Sequence, residues 1–178
     1  MARLNPPNKE QMIAHIEHEF AQFRGSLAEF SALDDPCALS RNRDDPERIR
    51  RTAFFECFLL HARVLDEFLG QLPRKDDDFT AGAFTDSWTR RSPIGEVDPI
   101  TPGGLSVRDR INKQLTHLTT SRVDQQQLPI AAIAAAVLKV FREFLNHPDI
   151  CTDPDFFQLL NWAYATWGTT KPPISSGS

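Results

Sequence analysis

Two side chains in the second half of the chain, Arg110 and His117, have the types and the spacing for phosphoryl chemistry. Seven residues turn an α-helix by about 700°, within about 20° of two full turns, so both would line one edge of a helix. An imidazole, with an unperturbed pKa of about 6.5, takes or gives a proton near neutral pH. A guanidinium stays charged and grips phosphate oxygens through a bidentate fork. Together they suit metal-free cleavage of RNA. His117 would act as base on a ribose 2′-hydroxyl or as acid toward the leaving 5′-oxygen, and Arg110 would face the charge building on the phosphorus-bound oxygens. One imidazole rarely serves both ends of an in-line displacement. The chemistry therefore points to a homodimer whose two-fold axis beside this helix brings a second pair across a cleft. A solvated helix edge on which Arg110 pairs with an acid is the open alternative.

The helix that must carry the pair begins where Ser106 and Asp109 form the S-x-x-D pattern of an N-terminal cap. Val107, Ile111, Leu115 and Leu118 give it a narrow apolar face, with Arg110 and His117 flanking that face, Gln114 on the stripe side between them and Lys113 farther toward solvent. Other elements must hold this helix. Ile13, Ile16, Phe20, Phe23, Leu27 and Phe30 recur at steps of three and four, which predicts a first helix over 9–33 opened by Asn8 and Gln11. Asp45 and Pro46 start a second helix that runs to Gly70 and is expected to be the most buried. Its stripes are Phe54, Phe58, Leu65, Phe68 and Leu72, and beside them Ala53, Cys57, Leu60 and Val64. A short helix is expected around 79–88, and SPIGEVDPITPGG after it reads as a loop. Pro129 opens a fourth long helix with Ile130, Ile133, Val137, Phe141 and Phe144 inward, ended by Asn146-His147-Pro148. Asp153 and Pro154 open a last, aromatic helix from Phe156 to Trp167, a candidate sticky surface for a protein partner. The expected architecture is all-α, an antiparallel four-helix core with one or two accessory helices, in a single domain over 1–168 with a disordered tail over 169–178.

Composition narrows the function. A chain of 178 residues can bury about 70% of the surface it exposes unfolded, and 13 Phe and 3 Trp supply the interior. A net charge of −4 repels a nucleic-acid backbone unless positive charge is gathered locally. Arg41, Arg43, Arg48, Arg50 and Arg51 form the one sizeable basic cluster, suited either to steering RNA or to helix-surface ion pairs. Cys37, Cys57 and Cys151 are odd in number and lack a CxxC, which argues against a disulfide framework or a zinc site and for the cytoplasm. No apolar stretch of membrane-spanning length and no hydrophobic signal core occur, so no membrane association is expected. His15, His18 and Glu19 lack the recurring Glu-x-x-His of a di-iron bundle, and Asp76, Asp77 and Asp78 lack the glycine and terminal glutamate of a calcium loop. Neither a metal nor a cofactor is expected. His61 falls inside an apolar stripe and needs a hydrogen-bond partner there. Either a core role or support of the Arg110 helix is open to it, the latter shared with Arg63, Lys113 and Gln114.

Arg110-Ile-Asn-Lys-Gln-Leu-Thr-His117 resembles the R-x4-6-H signature of the HEPN superfamily, helical bundles that include metal-independent ribonucleases of toxin and defence type. The order of helices is also similar, with the signature on a late helix after a long hydrophobic one. FLLHARVLDEFL followed by INKQLTHLT resembles, more narrowly, a pattern in bacterial helical proteins, and that part carries no activity with it. The chain departs from the superfamily pattern at Ile111, where a small polar residue usually follows the arginine, and at Thr119, where some toxin members have tyrosine. The resemblance implies a dimeric, metal-independent ribonuclease with Arg110 and His117 as its catalytic pair. A non-catalytic helical dimerisation or interaction module is the competing expectation.

Overall fold

The structure, a computed structural model, describes residues 8–33, 45–70, 79–97, 105–116 and 128–167. These form seven α-helices and two short 3-10 turns, with no strand among the described residues, so the class is all-α. The helices are α1 (Lys9–Ala32), α2 (Pro46–Gly70), α3 (Pro93–Glu96), α4 (Val107–Thr116), α5 (Ile130–Leu145), α6 (Pro148–Cys151) and α7 (Phe157–Trp167). The stretch 117–127, with His117 and Leu118, and the tail 169–178 lie outside the described residues.

α1 begins with the expected reciprocal cap. Asn8 Oδ1 accepts from the Gln11 backbone at 2.8 Å, and Gln11 Oε1 accepts from the Asn8 backbone at 3.1 Å. Asp45 Oδ1 does the same work at the start of α2, accepting from Glu47 N at 3.0 Å. The two long helices run antiparallel, because Glu19 meets His61, Phe23 meets Phe58, Phe30 meets Phe55 and Glu29 meets Arg50 as one helix ascends and the other descends.

Their apolar faces close on α5, where Ile133, Ala134, Val137, Val140, Phe141, Phe144 and Leu145 are all buried. Phe20 stacks on Phe141 at 4.3 Å between centroids, and Phe144 is met edge-on by Phe68 at 5.2 Å and Trp88 at 5.5 Å. Each such side chain taken out of water contributes about 1.5–3 kcal/mol. α7 completes the core with Leu159, Leu160, Ala163 and Tyr164, and Phe156 just ahead of it is fully buried.

Five expectations change, the first at SPIGEVDPITPGG, which reads as a loop and instead holds α3, capped by Ser92. The most densely buried helix is α5 and not α2, whose first turns stand in solvent. On α2 the buried positions are Phe58, Leu59, Ala62, Leu65, Asp66, Phe68 and Leu69. The stripe expected beside Phe58, from Ala53 to Val64, faces outward, with Ala53 and Leu60 exposed and Cys57 and Val64 half-buried. At about 100° per residue the buried arc turns from Phe58 toward Leu59 and Asp66, leaving that stripe roughly opposite. The segment expected as a helix over 79–88 is a single 3-10 turn, Ala81–Ala83, whose chain continues to Trp88, and Trp88 donates through Nε1 to Leu69 O at 2.9 Å. In the aromatic last helix Tyr164 is buried and Trp162 packs half-buried against the core, and Phe157 is its one exposed large hydrophobic residue among the described residues.

Candidate functional site

α4 is seated on α2 by one charged side chain. Its start is the expected cap, with Asp109 N donating to Ser106 Oγ at 3.0 Å and the Ser106 hydroxyl donating to Asp109 Oδ2 at 2.7 Å. Val107 and Ile111 are buried. From the edge of α4 that faces α2, Arg108 reaches Asp66 Oδ2 with Nη1 at 3.0 Å and Glu67 Oε1 with Nη2 at 3.0 Å. Arg63 Nε shares that Glu67 oxygen at 3.3 Å.

Asp66 is the centre of this clamp. It is wholly buried, and its Oδ1 accepts from the Ser92 hydroxyl at 2.7 Å and from Ile94 N at 2.8 Å. Thus α2 holds the start of α3 through Oδ1 and α4 through Oδ2. The Arg108 contact is an ion pair without the alignment of a hydrogen bond. Burial pushes the Asp66 carboxyl above its ordinary value, against the opposing pull of Ser92, Ile94 and Arg108.

Arg110 stands two residues beyond Arg108, which is about 200° around α4, so clamp and candidate edge lie on opposite sides of the helix. Arg110, Lys113 and Gln114 are each half-buried on or beside this second edge. His117 continues the edge in sequence and lies outside the described residues. Arg63 and His61, named together as supports, part company. Arg63 joins the α4 side through Glu67, whereas His61, about 200° away on α2, turns to α1. There its Nδ1–H donates to Glu19 Oε2 at 2.6 Å with 12% of the side chain exposed. The His18 ring lies 6.2 Å from it, edge-on. A largely covered imidazole is in this way satisfied by a carboxylate from the neighbouring helix.

One constellation escaped the sequence. Ser87 Oγ lies 3.2 Å from His147 Nε2, and His147 Nδ1 lies 3.7 Å from Asp149 Oδ2, the order of a serine-hydrolase triad. The protons run the wrong way for that chemistry. Asp149 N donates to His147 Nδ1 at 3.4 Å, capping α6, so in the neutral ring the proton sits on Nε2 and is donated to Ser87. The Ser87 hydroxyl then has Thr85 Oγ1 at 3.0 Å and Asp149 Oδ2 at 3.5 Å as acceptors, and Thr85 donates to the same Asp149 oxygen at 2.5 Å. In this tautomer His147 donates to Ser87 and does not act as its base. The chain of bonds is a clasp joining the loop after the 3-10 turn to the corner between α5 and α6. Only the His147-Pro148-Asp149 cap was open to detection in sequence, since its partners lie about sixty residues away.

Among the described residues no group of three His, Cys, Asp or Glu side chains is arranged to hold a metal ion, and no helix is long and apolar enough to cross a membrane. No family model, no curated protein and no solved structure matches the chain.

Proposed function

We propose that the chain is a HEPN-like helical protein that acts on RNA through the α4 edge carrying Arg110, with His117 as the titrating group of a metal-independent cleavage. The observation that carries this reading is the opposition of Arg108 and Arg110. Arg108 meets Asp66 and Glu67, which seats α4 against α2, and Arg110, Lys113 and Gln114 stand on or beside the edge about 200° away. A helix held in that way satisfies the first requirement of a catalytic edge, a rigid mounting. Total RNA incubated with the protein in a chelator, beside His117→Ala and Arg110→Ala, tests it. General acid–base catalysis contributes about 10²–10⁴ in rate, so cleavage should fall by at least 100-fold in His117→Ala. Cleavage by wild type and His117→Ala alike, or by neither, overturns the reading.

A non-catalytic helical interaction module is the second reading. It is favoured by the apolar outer face of α2, where Ile49 is 55% and Leu60 46% exposed.

A further inference from the structure

The contact between His61 and Glu19 leaves one ring nitrogen with nothing to do. A carboxylate only accepts, so the 2.6 Å contact to Glu19 Oε2 places the proton of the neutral imidazole on Nδ1 and the lone pair on Nε2. Among the described residues nothing donates to that Nε2, and 12% of the side chain is open to solvent. A carboxylate on the far nitrogen is the arrangement that stands behind metal-ligating histidines. It fixes the tautomer, aims the ring and makes the near nitrogen a stronger donor of its lone pair.

A second imidazole stands beside the first. The His18 ring, on α1, has its centroid 6.2 Å from that of His61, with the two planes edge-on at 80°. Zinc binds imidazole nitrogen at about 2.0–2.1 Å, so two rings on one tetrahedral ion have centroids about 5 Å apart, and about 1 Å remains to be closed. His18 is exposed, and a turn about its own side-chain bonds closes that gap without moving the backbone. The surrounding charge favours a cation. Glu17 and Glu19 flank His18 in sequence, and Arg63, two residues beyond His61, is drawn away to Glu67 at 3.3 Å.

We propose that His18 and His61 bind a divalent ion of the zinc class, with Glu19 orienting His61 from behind and water completing the coordination. The class of ion follows from the donors. Imidazole nitrogens suit zinc and its borderline neighbours, whereas magnesium and calcium take oxygen. Two protein ligands make an open, exchangeable site, in keeping with the lack of a three-ligand cluster among the described residues. One ligand comes from each long helix, so the ion ties α1 to α2. The site lies on the α1 side of α2, about 200° around that helix from Arg63 and the α4 clamp, and is independent of the RNA reading.

Isothermal titration of untagged, chelator-stripped protein with zinc chloride tests the proposal, beside His18→Ala, His61→Gln, Glu19→Ala and His15→Ala. Wild type should take up one zinc ion at this site, and magnesium should give no binding heat. His18→Ala, a change at an exposed position, and His61→Gln, which can still donate to Glu19, should each weaken zinc binding by at least about 10-fold, and Glu19→Ala by about 10–100-fold. His15, whose ring lies 6.5 Å from that of Phe79, is the control, and His15→Ala should bind as wild type does. Zinc should also raise the melting temperature of wild type and leave that of His18→Ala unchanged, because an ion that binds the folded chain stabilises it. The proposal is overturned by a wild type that takes up no zinc, by uptake that His18→Ala, His61→Gln or Glu19→Ala leaves unchanged, or by a loss in His15→Ala as large as that in His18→Ala, which would mark an adventitious ion on α1 alone. None of these measurements involves RNA, so failure here and failure of the cleavage reading are separately visible.

Discussion

Replacing Asp66 by alanine should remove more stability than any exposed substitution in the chain, because it strands three groups at once. The Ser92 hydroxyl at 2.7 Å and the Ile94 N–H at 2.8 Å lose a buried carboxylate acceptor, and Arg108 loses the anion 3.0 Å from its guanidinium. Hydrogen bonds to a charged group contribute about 1.5–3 kcal/mol each, and removing one partner of a buried ion pair costs about 3–5 kcal/mol. These figures overlap in part, since the same desolvated groups appear in both, so about 3–5 kcal/mol is the expected total. For a domain of this size each kilocalorie shifts the melting temperature by about 2–4 °C, which gives a drop of about 6–20 °C. Urea unfolding followed by far-ultraviolet circular dichroism reads the loss directly. Arg108→Met alone and the Asp66→Ala/Arg108→Met pair complete a cycle, in which a coupling of about 0.5–3 kcal/mol is expected for residues in contact. A loss below about 1 kcal/mol for Asp66→Ala, or additive effects in the cycle, would refute the clamp.

The remaining predictions concern charge and backbone. Because the folded state holds the Asp66 carboxyl above its ordinary value, its protonation favours folding, and its contribution is complete below the unfolded value of 3.8 and lost as pH rises through the raised one. Wild type should therefore lose stability over that window relative to Asp66→Asn, and pH-dependent unfolding of the two proteins with no change in their difference would contradict the assignment. Gly70→Ala should destabilise by about 1–3 kcal/mol in spite of the better helix propensity of alanine, because a Cβ there falls 2.8 Å from Ser92 Cα and 2.9 Å from Arg91 O. Thermal melting at or above the wild-type temperature would show that the loop yields. Lys9 pairs with Asp153 and with Asp155, and both contacts raise its ammonium above the usual value. With nearly half of the lysine side chain in solvent, Lys9→Ala should cost less than about 1 kcal/mol, and a larger loss in urea unfolding would mean that this pair anchors α1.

Local rules were legible where the interaction is local. The caps at Asn8, Asp45 and Ser106 follow from residues two or three apart, and the helices begin where these residues stand. The inward stripe of α1 was equally plain, since Ile13, Ile16, Phe20 and Phe23 repeat at helical steps and all four are buried. α2 shows where periodicity stops. It carries two apolar stripes, and nothing in their spacing says which will meet α1 and α5 and which will face solvent. The choice is made by tertiary packing, with Asp66 of all residues falling inside the buried arc. Asp66 itself gave no sign, because a carboxylate in LDEFL reads as the polar side of a helix until Ser92, Ile94 and Arg108 converge on it from two later segments. Non-local convergence also hid the Thr85–Ser87–His147–Asp149 clasp. At the candidate edge the sequence placed Arg110, Gln114 and Lys113 together on α4, and what it could not supply was Arg108, the side chain that mounts the helix.

The proposed role of His117, moving a proton in metal-free RNA cleavage, is tested most directly by the chemistry of the cut ends. Attack by a ribose 2′-hydroxyl leaves a 2′,3′-cyclic phosphate or its hydrolysed 3′-phosphate, together with a 5′-hydroxyl. These ends are expected in total RNA treated with wild-type protein in excess chelator, and their loss is expected in His117→Ala. Ends of that kind in equal yield from His117→Ala, or intact RNA with both proteins, would contradict it.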